Sequence, residues 1–150
     1  MLRKWMVFAL SAGLLVTLAG VGFSGDDDES PLEKVMEKVN KANAKIKQGV
    51  RNPANFRKKQ KEVAEKSKEL VKLAKESKPM KDALDKAKNE AKPQEKWNTL
   101  MDAFIEKSEK LSEVANKPSP DYDATKKAFS AVSKTCADCH NVFRVEDENF

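Results

Sequence analysis

The chain has 150 residues, enough for a single domain, and 35% of them are charged. Its 29 basic and 24 acidic residues give a net charge of +5, and both signs are interspersed along the chain. That pattern is typical of solvated helix faces and argues against a nucleic-acid-binding patch. No catalytic acid, base or nucleophile stands out, so we expect a protein that is not an enzyme.

Residues 1–24 have the layout of a secretory signal peptide. A basic start precedes an apolar run from Trp5 to Val21, and small residues then allow cleavage before Gly25. An uncleaved anchor helix is the alternative, although seventeen apolar or small residues are at the short limit for spanning a bilayer. We therefore expect export to the periplasm and no stable membrane span after cleavage.

The first two predicted helices have clear start and stop signals. Ser30 and Glu33 fit a capping box, with Pro31 at the first helical position. Gly49 ends this helix, and Asn52 can cap the next. Apolar residues at helical spacing follow both starts: Leu32, Val35, Met36, Val39, Ile46 and Val50, and then Phe56, Val63, Leu70, Val71 and Ala74.

Two further helices follow a polar connection over residues 78–93. Pro93 opens the third helix, and the fourth starts near Asp121. Their apolar positions are Trp97, Leu100, Met101, Phe104, Ile105, Leu111 and Val114, and then Ala128, Phe129, Val132, Cys136 and Phe143. The four amphipathic segments predict an all-α, antiparallel four-helix bundle. Because many stripe positions are alanine, we expect something else to fill the core.

The segment C-A-D-C-H contains both cysteines and the only histidine of the chain. Cys136 and Cys139 are three residues apart, so they share one face of a helix, and His140 lies on the same side. The spacing C-x-x-C-H is the attachment pattern of c-type haem. Each thiol can add to one vinyl group of the porphyrin, and the adjacent imidazole can reach the iron. The predicted cofactor is one covalently attached haem c with its iron.

Other uses of these three residues fit less well. A thioredoxin-type cysteine pair needs a strand-to-helix setting, whereas this pair lies inside the last helix of an all-α chain. A structural zinc site needs four protein ligands, and only three soft ligands are present here. A disulfide across a two-residue spacer inside a helix is strained.

The longer stretch C-A-D-C-H-N-V-F-R, from Cys136 to Arg144, resembles the C-x-x-C-H-x-x-[FY]-R ending of class II c-type cytochromes. That family includes cytochrome c′ and its low-spin relatives, and the resemblance covers residues 30–144. It implies a four-helix bundle with the haem on the last helix, in a periplasmic protein that is often a homodimer. It also implies that His140 is the proximal iron ligand and that Arg144 lies close to it. A solvated cation at the helix end is the alternative role for Arg144.

The presence or absence of a sixth ligand to the iron distinguishes two functions, electron transfer and gas binding. A second histidine is excluded, so the candidates after signal removal are Met36, Met80 and Met101. The resemblance places the ligand of the low-spin members on the first helix, at Met36, although a methionine there can also be core filler. Met/His ligation is typical of electron-transfer cytochromes. The resemblance also implies the alternative found in cytochrome c′ proper, in which an apolar residue in that place leaves the haem five-coordinate and able to bind a small gas such as nitric oxide.

The predicted domain organisation is a signal peptide over residues 1–24, an acidic linker over 25–29, a cytochrome domain over 30–145 and a tail over 146–150. Family members often carry an arginine where this chain has Leu32, and a lysine such as Lys34 can replace its contact with a haem propionate. The predicted function is that of a monohaem cytochrome that exchanges single electrons with redox partner proteins. A five-coordinate gas-binding haem protein and a haem-free helical adaptor are the alternatives.

Overall fold

The computed structural model describes residues 29–144, which form four α-helices and one short 3₁₀ helix. The α-helices are α1 (Pro31–Gly49), α2 (Pro53–Ser77), α3 (Pro93–Ala115) and α4 (Tyr122–Phe143), and the 3₁₀ helix spans Leu84–Lys86. No strand occurs within these residues, and the predicted all-α bundle is confirmed. The predicted signal peptide, most of the acidic linker and the tail lie outside the described residues.

The helices begin at the positions that the local signals predict. The Ser30 hydroxyl accepts the Glu33 N–H at 3.2 Å, and the Glu33 carboxylate accepts the Ser30 N–H at 2.8 Å. Asn52 and Asp121 cap α2 and α4 in the same way, each accepting a backbone N–H three residues on. These caps satisfy N–H groups that have no partner within their own helix.

Successive helices pack side by side, α1 on α2, α2 on α3 and α3 on α4. Within residues 29–144, close backbone approach between α1 and α4 is nearly absent. The two helices still face each other, because the Tyr122 hydroxyl near the start of α4 lies 3.4 Å from the Val50 carbonyl at the end of α1. The α1–α4 side is therefore the loosely packed side of the bundle.

The core consists of the predicted apolar stripes with small shifts. Its fully buried members include Ile46, Val63, Leu70, Met101, Leu111 and Val132. The prediction was wrong at Val71, which is only half-buried, whereas Leu73 occupies the buried position. Leu70, Leu73 and Ala74 make a regular i, i+3, i+4 face, so the helical period explains the shift.

The connection between α2 and α3 is tied to three helices at one end of the bundle. The Leu32 N–H donates to the Asp82 carboxylate at 3.0 Å, and the Lys88 N–H donates to the Val142 carbonyl at 2.8 Å. The Trp97 indole N–H donates to the Lys78 carbonyl at 3.0 Å. We call this the motif end, because α1 and α3 begin there and α4 ends there with the C-x-x-C-H segment. No membrane-crossing helix occurs within residues 29–144.

Candidate functional site

The two cysteines lie in the last two turns of α4, where that helix reaches the motif end. Cys136 and Cys139 are both half-buried free thiols that pack against the core. Burial raises the pKa of Cys136, and burial together with the neighbouring Cys136 raises the pKa of Cys139 to about 11. Both sulfurs are therefore protonated at neutral pH, on one face of a helix and directed toward the protein interior.

His140 follows the second cysteine and lies at the surface of α4. Partial burial of its ring lowers the pKa of the imidazole, and the positive charge of Arg144 lowers it further. A neutral imidazole keeps the nitrogen lone pair that a metal ligand needs. The side chain is thus in the ionisation state that an iron ligand requires.

Arg144 stands one turn beyond His140, at the C-terminal cap of α4. Its backbone N–H donates to the His140 carbonyl at 3.1 Å, and the residue is exposed. Its positive charge contributes to lowering the pKa of the His140 imidazole. Both roles considered for Arg144, a cation close to the predicted ligand and a solvated cation at the helix end, are compatible with this position.

The three candidate methionines occupy different environments. Met36 lies in the second turn of α1 and is half-buried against the core. Met101 is 2% exposed inside the bundle on α3, and Met80 is half-buried in the connection after α2. Met36 is therefore the one on α1, the helix that faces α4 across the loosely packed side.

Within residues 29–144, no group of three or more histidine, cysteine or acidic side chains is arranged to hold a metal ion by itself. Cys136, Cys139 and His140 are too close together along one helix to surround an ion, which fits the case against a zinc site. The same spacing fits a planar cofactor that lies along one side of α4.

The chain matches the family model described as Cytochrome C' over residues 33–144, which extends from the first turn of α1 to the end of α4. It belongs to the cytochrome C' family. The match confirms the predicted class II cytochrome c family, and the protein is a c-type haem protein. No curated protein and no solved structure matches the chain.

The described residues fit the haem that this cytochrome C' family implies. Two half-buried thiols share a face of α4, a neutral imidazole adjoins them, and the neighbouring α1–α4 side lacks close backbone packing. A haem disc can complete a core that, within residues 29–144, has close backbone packing between successive helices but little between α1 and α4. Family members are typically periplasmic and typically non-enzymatic.

The sequence did not predict that the connection between α2 and α3 makes hydrogen bonds to three helices at the motif end. Trp97 is 2% exposed, donates to the Lys78 carbonyl and packs edge-on against Phe143. These contacts hold the final turn of α4, which carries His140. The available signal was the set of apolar residues inside an otherwise polar connection, Met80, Ala83, Leu84 and Ala87, all of which pack against the core.

Proposed function

We propose that this protein is an exported, periplasmic, monohaem c-type cytochrome that carries single electrons between redox partner proteins. Cys136 and Cys139 would hold the haem as thioethers, with His140 and Met36 as the axial ligands. When bound, haem c supplies the one-electron redox chemistry of its iron. The residues of the chain provide attachment, ligation and a pocket of low polarity.

The relationship between α1 and α4 supports this proposal most directly. Met36 is near the start of α1 and His140 is near the end of α4, so both lie at the motif end of the antiparallel bundle. The two helices face each other across the side that lacks close backbone packing. With Met36 and His140 as its ligands from the two sides of that gap, the haem would have the thioether–imidazole pair that raises the potential of electron-transfer cytochromes.

The residues around the motif end keep water from the site. Trp97, Phe104 and Phe143 are each less than a tenth exposed, and they would form its apolar wall. A site of low polarity disfavours the more highly charged iron state and so contributes to setting the potential. Lys34 is exposed on α1, two residues before Met36, and is our candidate for the propionate contact that Leu32 cannot make.

The optical spectrum of the reduced, exported protein tests the ligand assignment. We expect sharp low-spin bands in the natural protein and broad high-spin bands in Met36→Ala. Met80→Leu and Met101→Leu are the controls, because each removes another candidate sulfur while keeping side-chain volume. Low-spin bands that persist in Met36→Ala would show that this sulfur is not the ligand.

A high-spin spectrum in the natural protein would favour the alternative function, that of a five-coordinate haem protein that binds a gas such as nitric oxide. Mass spectrometry tests attachment separately, since a covalent haem adds its mass to the chain. A colourless exported protein with two reactive thiols would support the haem-free adaptor.

A further inference from the structure

The positive charge of the folded chain is concentrated in one segment. Residues 38–61 hold nine lysines and arginines and no aspartate or glutamate. The rest of the described chain, residues 29–37 and 62–144, holds eighteen basic and eighteen acidic residues. The whole excess charge of the described protein therefore belongs to a segment that runs from the eighth residue of α1, through the turn after it, to the ninth residue of α2.

Most of these cations have no acidic partner within residues 29–144. Three of them form ion pairs: Lys41 with Glu37, and Lys45 and Lys59 with Glu62. The remaining six are exposed and form no ion pair there: Lys38, Lys47, Arg51, Arg57, Lys58 and Lys61. Five of these lie in the last turn of α1, the turn after it or the first turns of α2, and we call them the basic end: Lys47, Arg51, Arg57, Lys58 and Lys61. Lys38 lies nearer the start of α1 and is not part of it.

The start of α2 contradicts the usual placement of charge on a helix. The first turns of the other three helices contain an acidic residue, Glu33, Glu95 or Asp123. The first turn of α2 contains none, and Arg57 and Lys58 follow in the next turn. Because the N-terminal end of a helix is already positive, these cations repel it. These cations therefore do not stabilise α2, whereas they would favour binding to an anionic surface.

The basic end is far from the haem attachment residues. Gly49, the last residue of α1, follows Met36 by thirteen residues, which is about 20 Å along the helix axis, and Arg51 lies two residues beyond it. Lys47, Arg51 and Lys126 also line a groove of about 660 Å³ between α1 and α4, whose floor includes Phe129 and which has no acidic lining residue. A redox partner bound here would be separated from the cofactor by most of the bundle length.

We propose that the basic end binds the anionic headgroups of a phospholipid bilayer and holds the protein with its motif end directed into solution. The five cations are all exposed and are spread over the end of the α1–α2 hairpin, an arrangement that suits an extended, uniformly negative surface better than it suits a shaped protein pocket. Each lysine or arginine near such a surface adds a comparable attraction, which salt screens. The motif end, free of the surface, remains accessible to redox partners.

Sedimentation of the haem-loaded protein with vesicles tests the proposal. We expect binding to vesicles that contain phosphatidylglycerol at low salt, little binding to pure phosphatidylcholine, and release on adding salt. The variant Arg51→Gln/Arg57→Gln/Lys58→Gln should reduce the bound-to-free ratio by about tenfold or more. The matched control Lys68→Gln/Lys72→Gln/Lys81→Gln changes the net charge equally at exposed residues that form no ion pair within residues 29–144, and should retain most of the binding.

Orientation gives a second measurement. An environment-sensitive fluorophore attached at Ala54→Cys, in the first turn of α2, should shift to the blue on vesicle binding, whereas one at Asn98→Cys, near the start of α3, should not. Equal loss of binding in the two triple variants would overturn the proposal, and so would equal shifts at the two labels. Binding to polyglutamate but not to vesicles would also overturn it, in favour of an acidic protein partner. None of these outcomes depends on the axial ligands of the iron.

Discussion

The indole ring of Trp97 meets the phenyl ring of Phe143 edge-on, with ring centroids 5.3 Å apart and an interplanar angle of 90°. This pair connects the start of α3 to the last residue of α4. Because the indole N–H also donates to the Lys78 carbonyl at 3.0 Å, three segments are held together by one side chain. Phe143 lies three residues after His140, so the pair stabilises the turn that carries the predicted proximal ligand.

Replacing Trp97 separates the contribution of the ring from that of its hydrogen bond. Trp97→Ala should lower the free energy of unfolding by about 3–5 kcal/mol, because it leaves a cavity between two helices. Trp97→Phe keeps an aromatic ring but loses the donor, and should cost about 1 kcal/mol through the hydrogen bond alone. Urea unfolding followed by circular dichroism measures both. Equal losses in the two variants would show that the ring pair adds no stability.

Asp82 acts as a cap for α1 from a distant part of the chain. Its carboxylate accepts the Leu32 N–H at 3.0 Å, which is one of the orphan donors of the first turn. Asp82→Ala should therefore lower the free energy of unfolding by about 1 kcal/mol. Asp85→Ala, three residues on and also exposed, is the control and should change stability little. A similar loss at both positions would mean that general charge, and not the cap, is responsible.

Gly49, the last residue of α1, packs directly against Val63 of α2. A Cβ atom built there would lie 2.2 Å from Val63 Cγ2, which is far inside van der Waals contact. Gly49→Ala should cost about 1–3 kcal/mol of stability through overpacking. In the double variant with Val63→Ala the methyl group has room, so the combined loss should be smaller than the sum of the two single losses. Additive losses in this double-mutant cycle would contradict the steric explanation.

The capping box of α1 makes stability depend on acid pH. The Ser30 backbone and side-chain hydrogen bonds, with Lys86 nearby, lower the pKa of Glu33 below its ordinary 4.5. A lowered folded-state pKa means that the unfolded chain binds the proton more readily, so this stabilisation is complete above pH 4.5 and is lost as the pH falls through the lowered pKa.

Acid titrations of stability measure the effect of that carboxylate. Glu33→Gln has no carboxylate to protonate here, so its free energy of unfolding should fall less than that of the natural protein as the pH is lowered through this range. It should also be less stable than the natural protein near neutral pH. Glu76→Gln, at an exposed position that forms no hydrogen bond or ion pair within residues 29–144, is the matched control. The role of the box would be refuted if Glu33→Gln kept both the neutral stability and the acid response of the natural protein.

The sequence and the structure agree where a pattern depends on neighbours within one or two turns. The Ser30–Glu33 box, the Asn52 cap and Pro93 at a helix start can all be recognised from the order of residues, because each bond spans only a few positions. The disagreement at Val71 and Leu73 has a related cause. Leu73 continues the i, i+3, i+4 face of Leu70 and Ala74, so a stricter use of the helical period would have chosen it over Val71.

The family and the attachment motif were determined by the sequence alone. A C-x-x-C-H segment carries its chemistry in five consecutive residues, and the later family match agrees with it. Only the tertiary structure decided that the α1–α4 side is loosely packed, that the connection after α2 ties the motif end together, and that the excess charge lies at the opposite end. These properties depend on which distant residues become neighbours, and the entropy cost of closing those loops is met by packing that no local pattern describes.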